Sequence, residues 1–162
     1  MDVLVRTFDR FYPYLWGFVA AIVALVYAGS ALRWAVAAEV DLSAFFNSVF
    51  DISAIVTAFL FAFFGIAIAP GGGFIEKIFG TKTFSLFVRY IGEALALGAA
   101  LTLLSIPPMI VAEKMLLAGG VPVFMAIWAF FVLASFSAFY RVVSAFLVWL
   151  RADAPSLEHL FH

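Results

Sequence analysis

No cysteine occurs anywhere in the 162 residues. That absence excludes disulfides, thiol catalysis, thiolate metal sites and S-palmitoylation, and it leaves the redox compartment open. Histidine is almost as scarce. The only two, His159 and His162, lie in the tail SLEHLFH, outside every apolar run. A bis-histidine haem inside a bilayer is thereby excluded. Their i,i+3 spacing would hold a metal weakly if the tail were helical, but a frayed terminus is the expectation. Charge is sparse too, at 12% of residues, about half the share usual in a soluble domain. Nine Lys and Arg against ten Asp and Glu give a formal net charge of −1. With no basic patch interleaved with aromatics, no nucleic-acid partner is expected. Paired catalytic carboxylates, a Ser-His arrangement and a metal cluster at a suitable depth are all missing, so neither an enzymatic site nor a cofactor is expected.

What is present is apolar. Hydrophobic residues make up 67% of the chain and the mean hydropathy is +1.17, against roughly 45–50% apolar usage in a soluble domain. Helices apolar on nearly every face have no solvated side, so lipid must be their solvent. The length predicts one domain, residues 1–162, without internal repeats.

Four apolar runs predict spans at about 14–32, 52–69, 86–108 and 122–146. The first follows Arg6, Asp9, Arg10 and Pro13, and Trp16 and Trp34 bracket it as interfacial aromatics. Ala35-Val36-Ala37 resembles a signal-peptide cleavage site, but the apolar stretch exceeds an h-region of about 7–15 residues, which favours a true span. Ser43, Asn47 or Asp51 is the expected N-cap of the second run, and Pro70-Gly71-Gly72-Gly73 ends it. The third run meets Pro107 and Pro108. Two adjacent prolines remove two backbone donors and predict a kink or an end. Gly119, Gly120 and Pro122 introduce the fourth.

Four spans put the N-terminus, the loop between spans two and three, and the C-terminus on one side. Arg6, Arg10, Lys77, Lys82, Arg89, Arg141 and Arg151 lie on or towards that side, with Arg33 and Lys114 on the other. The excess of Lys and Arg predicts that both termini are cytoplasmic, in a cell membrane of the bacterial inner-membrane type. The expected fold is an all-α integral membrane protein, an antiparallel bundle of four transmembrane helices.

Within the third run, FSLFVRYIGEALALGAALTLLSIPP, Arg89 and Glu93 stand among lipid-compatible residues. An isolated charge in hydrocarbon is costly and requires a partner. Glu93 is 20 residues before Glu113, and Arg141 is 20 after Val121. At 1.5 Å per residue each lies about 30 Å from the outer boundary. The matched depths predict a Glu93–Arg141 pair across spans three and four, joined by Arg89 one turn away on the same face. Two readings are open: a gate, ion path or proton-responsive carboxylate, or a structural clamp whose side chains snorkel to the cytoplasmic interface.

Ala94, Gly98 and Thr102 form a small-residue stripe on the third span, and Gly17, Ala21 and Ala24 a weaker one on the first. Both predict faces where helices pack closely. The loop PGGGFIEKIFGTKTF lacks P-loop spacing, because Gly80 is followed by Thr81 before Lys82. It is expected to lie on the membrane surface with Lys77 and Lys82 towards anionic headgroups. The 21 phenylalanines are expected to be lipid-facing and packing bulk. The span count is similar to that of four-helix multidrug transporters, whose essential carboxylate sits in the first span; Tyr14–Leu32 carries none. The expected function is therefore that of a non-enzymatic membrane subunit or an oligomeric pore-forming effector, its partners being lipid and a second copy or another membrane protein. A small ion or solute transporter acting through Glu93 is the alternative, and a lipid-modifying enzyme ranks last.

Overall fold

Every element described in the computed structural model is an α-helix. The described backbone covers residues 2–68, 82–115 and 121–157, and side-chain surroundings are described for 11–65, 84–110 and 121–148. Four helices lie within them: α1 (Asp2–Ala37), α2 (Leu42–Ile68), α3 (Lys82–Met115) and α4 (Val121–Leu157). Each contains a stretch long and apolar enough to cross a membrane: Phe11–Ala37, Leu42–Gly65, Phe84–Ile110 and Val121–Val148. These stretches run 24 to 28 residues, more than the ~20 that a 30 Å hydrocarbon core requires. Four such helices are those of a multi-pass membrane protein.

The link between α1 and α2 is a tight cap-to-cap turn. Val40 N donates to Ala35 O at 2.9 Å and Glu39 N to Val36 O at 3.1 Å, the paired bonds of a Schellman ending. Such an ending places one residue in the left-handed region; here it is Glu39, at φ 53°, where glycine would be cheaper. Asp41 then caps α2, its Oδ1 accepting from Ala44 N at 2.9 Å. The cap expected at Ser43, Asn47 or Asp51 is thus corrected. Asn47, Ser48 and Asp51 interrupt the hydropathy, but hydropathy does not end a helix whose backbone bonds are satisfied, and all three lie inside α2.

α3 is likewise not ended by Pro107 and Pro108, and runs on to Met115. The prolines deprive the carbonyls of Leu103 and Leu104 of their i+4 donors. Pro108 is nonetheless fully buried. Trp128 Nε1 of α4 donates to Ser105 Oγ at 3.0 Å, and Ser43 Oγ of α2 donates to Met109 O at 2.8 Å. These contacts tie α3 to α4 before the prolines and to α2 after them.

The main packing order is α1 on α4, α4 on α3, and α3 on α2. Lipid tails are as apolar as leucine, so helix association in a bilayer depends on close approach. Small residues supply it. Ala134 and Ala138 of α4 and Ala94 of α3 are almost fully buried, packed with Leu60, Ile91 and Val142. A Cβ on Gly17 would meet the Phe130 ring at 2.8 Å, so α1 approaches α4 there as only glycine allows. A second cluster joins Phe46, Leu101 and Trp128, with the Phe46 and Trp128 rings edge to face at 5.1 Å.

Candidate functional site

Ala94 and Ala138 share one buried cluster, beside which the charged positions of α3 and α4 come together. Arg141 Nη2 donates to Glu93 Oε2 at 2.6 Å, a short charge-assisted bond. Arg89, one turn earlier on α3, holds its Nε 3.6 Å from Glu93 Oε1. The Arg141 guanidinium also lies over the Tyr90 ring, with Cζ 4.1 Å from the centroid, in cation–π geometry. Side-chain exposure grades outward from Arg141 (9%) through Glu93 (19%) to Arg89 (53%). One carboxylate between two guanidiniums leaves a formal charge of +1. The cluster therefore has a buried half, Arg141 on Tyr90, and an accessible half at Arg89.

The Ala94, Gly98 and Thr102 stripe faces inward. Ala94 and Gly98 are buried, and a Cβ on Gly98 would collide with Thr57 Oγ1 of α2 while lying 3.6 Å from Ser135 Oγ of α4. Thr102 Oγ1 donates to Gly98 O at 2.9 Å and shares a 3.0 Å hydroxyl contact with Ser53 Oγ. Thr57 Oγ1 is buried without a hydrogen-bond partner among the described residues. The stripe thus forms a narrow hydroxyl-lined contact among α2, α3 and α4, about two turns from Glu93. Pro107 is exposed and Pro108 buried on the same helix.

The structure does not bring the other sequence-selected residues to this site. Lys82 opens α3 but its side chain, like Lys77 altogether, is outside the described residues, as are His159 and His162. Asp51 is exposed in the tenth position of α2. Among the described residues no group of three or more His, Asp or Glu is placed to hold a metal. Two participants escaped the sequence reading, Tyr90 beneath Arg141 and Trp128 on Ser105. For Tyr90 a signal existed: it is three residues before Glu93, on the face that Arg89 shares. Ser105 and Trp128 carried none, because a hydroxyl and an indole in apolar runs do not announce each other.

Comparison with protein-family models, curated proteins and solved structures finds no match to this chain. Function must therefore be argued from the geometry alone.

Proposed function

We propose that this chain is a non-enzymatic multi-pass membrane protein that acts by assembly within the bilayer, as a subunit of a membrane complex or as an oligomeric pore-forming or membrane-perturbing effector. The observation that carries this reading is the unequal burial of the helices. In their most apolar stretches only 17% of α1 and 11% of α2 is buried, against 28% in α3 and α4. The central helices spend their charges on each other through Glu93 and Arg141. The outer helices leave broad faces for lipid or for another subunit.

The proposed topology is antiparallel with both termini cytoplasmic, in a bacterial inner membrane. Residue pairing supports the alternation: Ser43, Ser53 and Phe63 of α2 meet Met109, Thr102 and Phe87 of α3. Numbers rise along one helix as they fall along the other. Glu93 with Arg141 and Ser105 with Trp128 give the same sense for α3 and α4. The bias of Lys and Arg supports the orientation, and helical spans accord with an inner rather than an outer membrane.

Native mass spectrometry of the chain in nanodiscs, with conductance across planar bilayers, tests the proposal. A discrete oligomer, or a monomer that co-purifies stoichiometrically with one membrane neighbour, is expected. A silent monomer without a neighbour overturns it. One observation favours a second reading, a small ion or solute transporter. Arg89 and Glu93 open the charge cluster to the bundle exterior, with 53% and 19% side-chain exposure. That reading requires gradient-driven flux that Glu93→Gln abolishes while leaving assembly intact.

A further inference from the structure

Asp51 is a carboxylate on the outside of a spanning helix. It lies nine residues beyond Leu42, about 14 Å along the axis, within the apolar stretch Leu42–Gly65. Its side chain is exposed, and no ion pair or hydrogen bond reaches its carboxylate among the described residues. A carboxylate facing hydrocarbon is expensive and calls for a partner. Its surroundings on α2 are mostly small. At 100° per residue Ala44, Asn47, Ile55, Ala58, Ala62 and Gly65 fall within 40° of Asp51, all of them exposed, and Ile55 is the one bulky side chain among them. A Cβ on Gly65 would meet nothing within 4 Å. This shallow strip has a single charge near its middle.

The complement is on α1. Arg33 is exposed, also without an ion pair among the described residues, four residues before the end of the helix at Ala37. The face of α1 below it is bulky: Val26, Ile22 and Val19 are 65%, 64% and 45% exposed. Gly29, one turn from Arg33 on that face, has open space where its Cβ would be. Because α1 and α2 meet at the Glu39 turn, depth is measured from a common level. Arg33 lies about 6 Å and Asp51 about 14 Å from it. Side chains tilt towards the N-terminus of their own helix. Arg33 therefore leans down over Gly29 and Asp51 leans up towards the turn, so a long arginine stem closes the difference.

We infer that the small-residue face of α2 centred on Asp51 docks onto the bulky α1 face of a second copy of this chain, pairing Asp51 with Arg33 of that copy. Both groups keep their depths in any assembly about an axis normal to the membrane, which is what matches them. The contact is heterologous, α2 against α1, so it generates a ring when its rotation closes. It rests on the proposed assembly in the bilayer and specifies which faces make it.

The cysteine-free chain permits a direct test. Chains carrying Asp51→Cys and chains carrying Arg33→Cys are reconstituted together in lipid vesicles and treated with a flexible bis-maleimide, because backbones offset by about 8 Å in depth lie beyond the reach of a disulfide. The expected product is a dimer-sized adduct cross-linked between positions 33 and 51. In parallel, native mass spectrometry in nanodiscs compares the natural chain with Asp51→Ala, Arg33→Ala and the exchanged pair Arg33→Asp with Asp51→Arg. Each alanine variant should weaken assembly about tenfold or more, and the exchange should restore it to within about threefold. An intact oligomer lacking the 33–51 adduct, or giving only 51–51, overturns this interface and leaves the wider proposal standing. A monomeric natural chain overturns both this interface and self-assembly.

Discussion

Removing the Glu93 carboxylate while Arg141 stays in place perturbs the bundle most informatively. Arg141 has 9% of its side chain exposed and places Nη2 2.6 Å from Glu93. Glu93→Ala leaves that guanidinium buried without its carboxylate, which costs about 3–5 kcal/mol in comparable buried pairs. Arg89→Ala disturbs a 3.6 Å contact at a side chain that is 53% exposed, and an exposed i,i+4 pair contributes only about 0.3–0.5 kcal/mol. Removing the carboxylate and removing its exposed partner should therefore differ several-fold in cost. Replacing both members, Glu93→Leu with Arg141→Leu, should fall within about 1 kcal/mol of the natural chain, because no unpaired charge remains. Equilibrium unfolding in mixed detergent–SDS micelles, followed by circular dichroism, gives these stabilities, and those of Glu93→Leu and Arg141→Leu alone complete the cycle for the pair. A coupling energy below about 0.5 kcal/mol, or Arg89→Ala costing as much as Glu93→Ala, would refute the assignment of the buried pair as the principal tie between α3 and α4.

Three further substitutions probe the contacts that set helix spacing. Gly98→Ala should destabilise by about 1–3 kcal/mol, since its methyl would strike Thr57 Oγ1; adding Thr57→Ala should recover most of the loss, and a neutral Gly98→Ala in the same unfolding assay would contradict the close approach. Glu39→Gly should stabilise by about 1 kcal/mol by relieving the left-handed residue of the α1–α2 turn, read as a raised thermal midpoint. Trp128→Phe should cost about 0.5–1.5 kcal/mol by removing the indole donor to Ser105. The same substitution in a Ser105→Ala background should cost measurably less.

What was legible in the chain followed from two strong constraints. Lipid as solvent demands long apolar helices, and the four runs carry that demand openly in their composition. Counting residues from Glu113 and Val121 put Glu93 and Arg141 at equal depth, and the side chains lie 2.6 Å apart. Helix ends were less legible. Hydropathy rises through Ser43, Asn47 and Asp51 and points to a cap among them, whereas the hydrogen bonds run back to Asp41. Proline chemistry alone predicts a kink or an end at Pro107, and it leaves open that the helix runs on, as it does to Met115. The hydroxyl contacts around Gly98 were invisible for the same reason: they depend on which faces meet, and that is fixed by packing rather than by any local pattern.

In the proposed topology four helices cross a bilayer with both ends on one side. Single cysteines placed at Asp2, Glu39, Lys114 and Ser156, probed in intact cells with a membrane-impermeant maleimide, test it most directly. Glu39→Cys and Lys114→Cys are expected to label from outside, and Asp2→Cys and Ser156→Cys only after the membrane is opened. Labelling of Glu39→Cys and Asp2→Cys from the same side would contradict it, because α1 would then not cross.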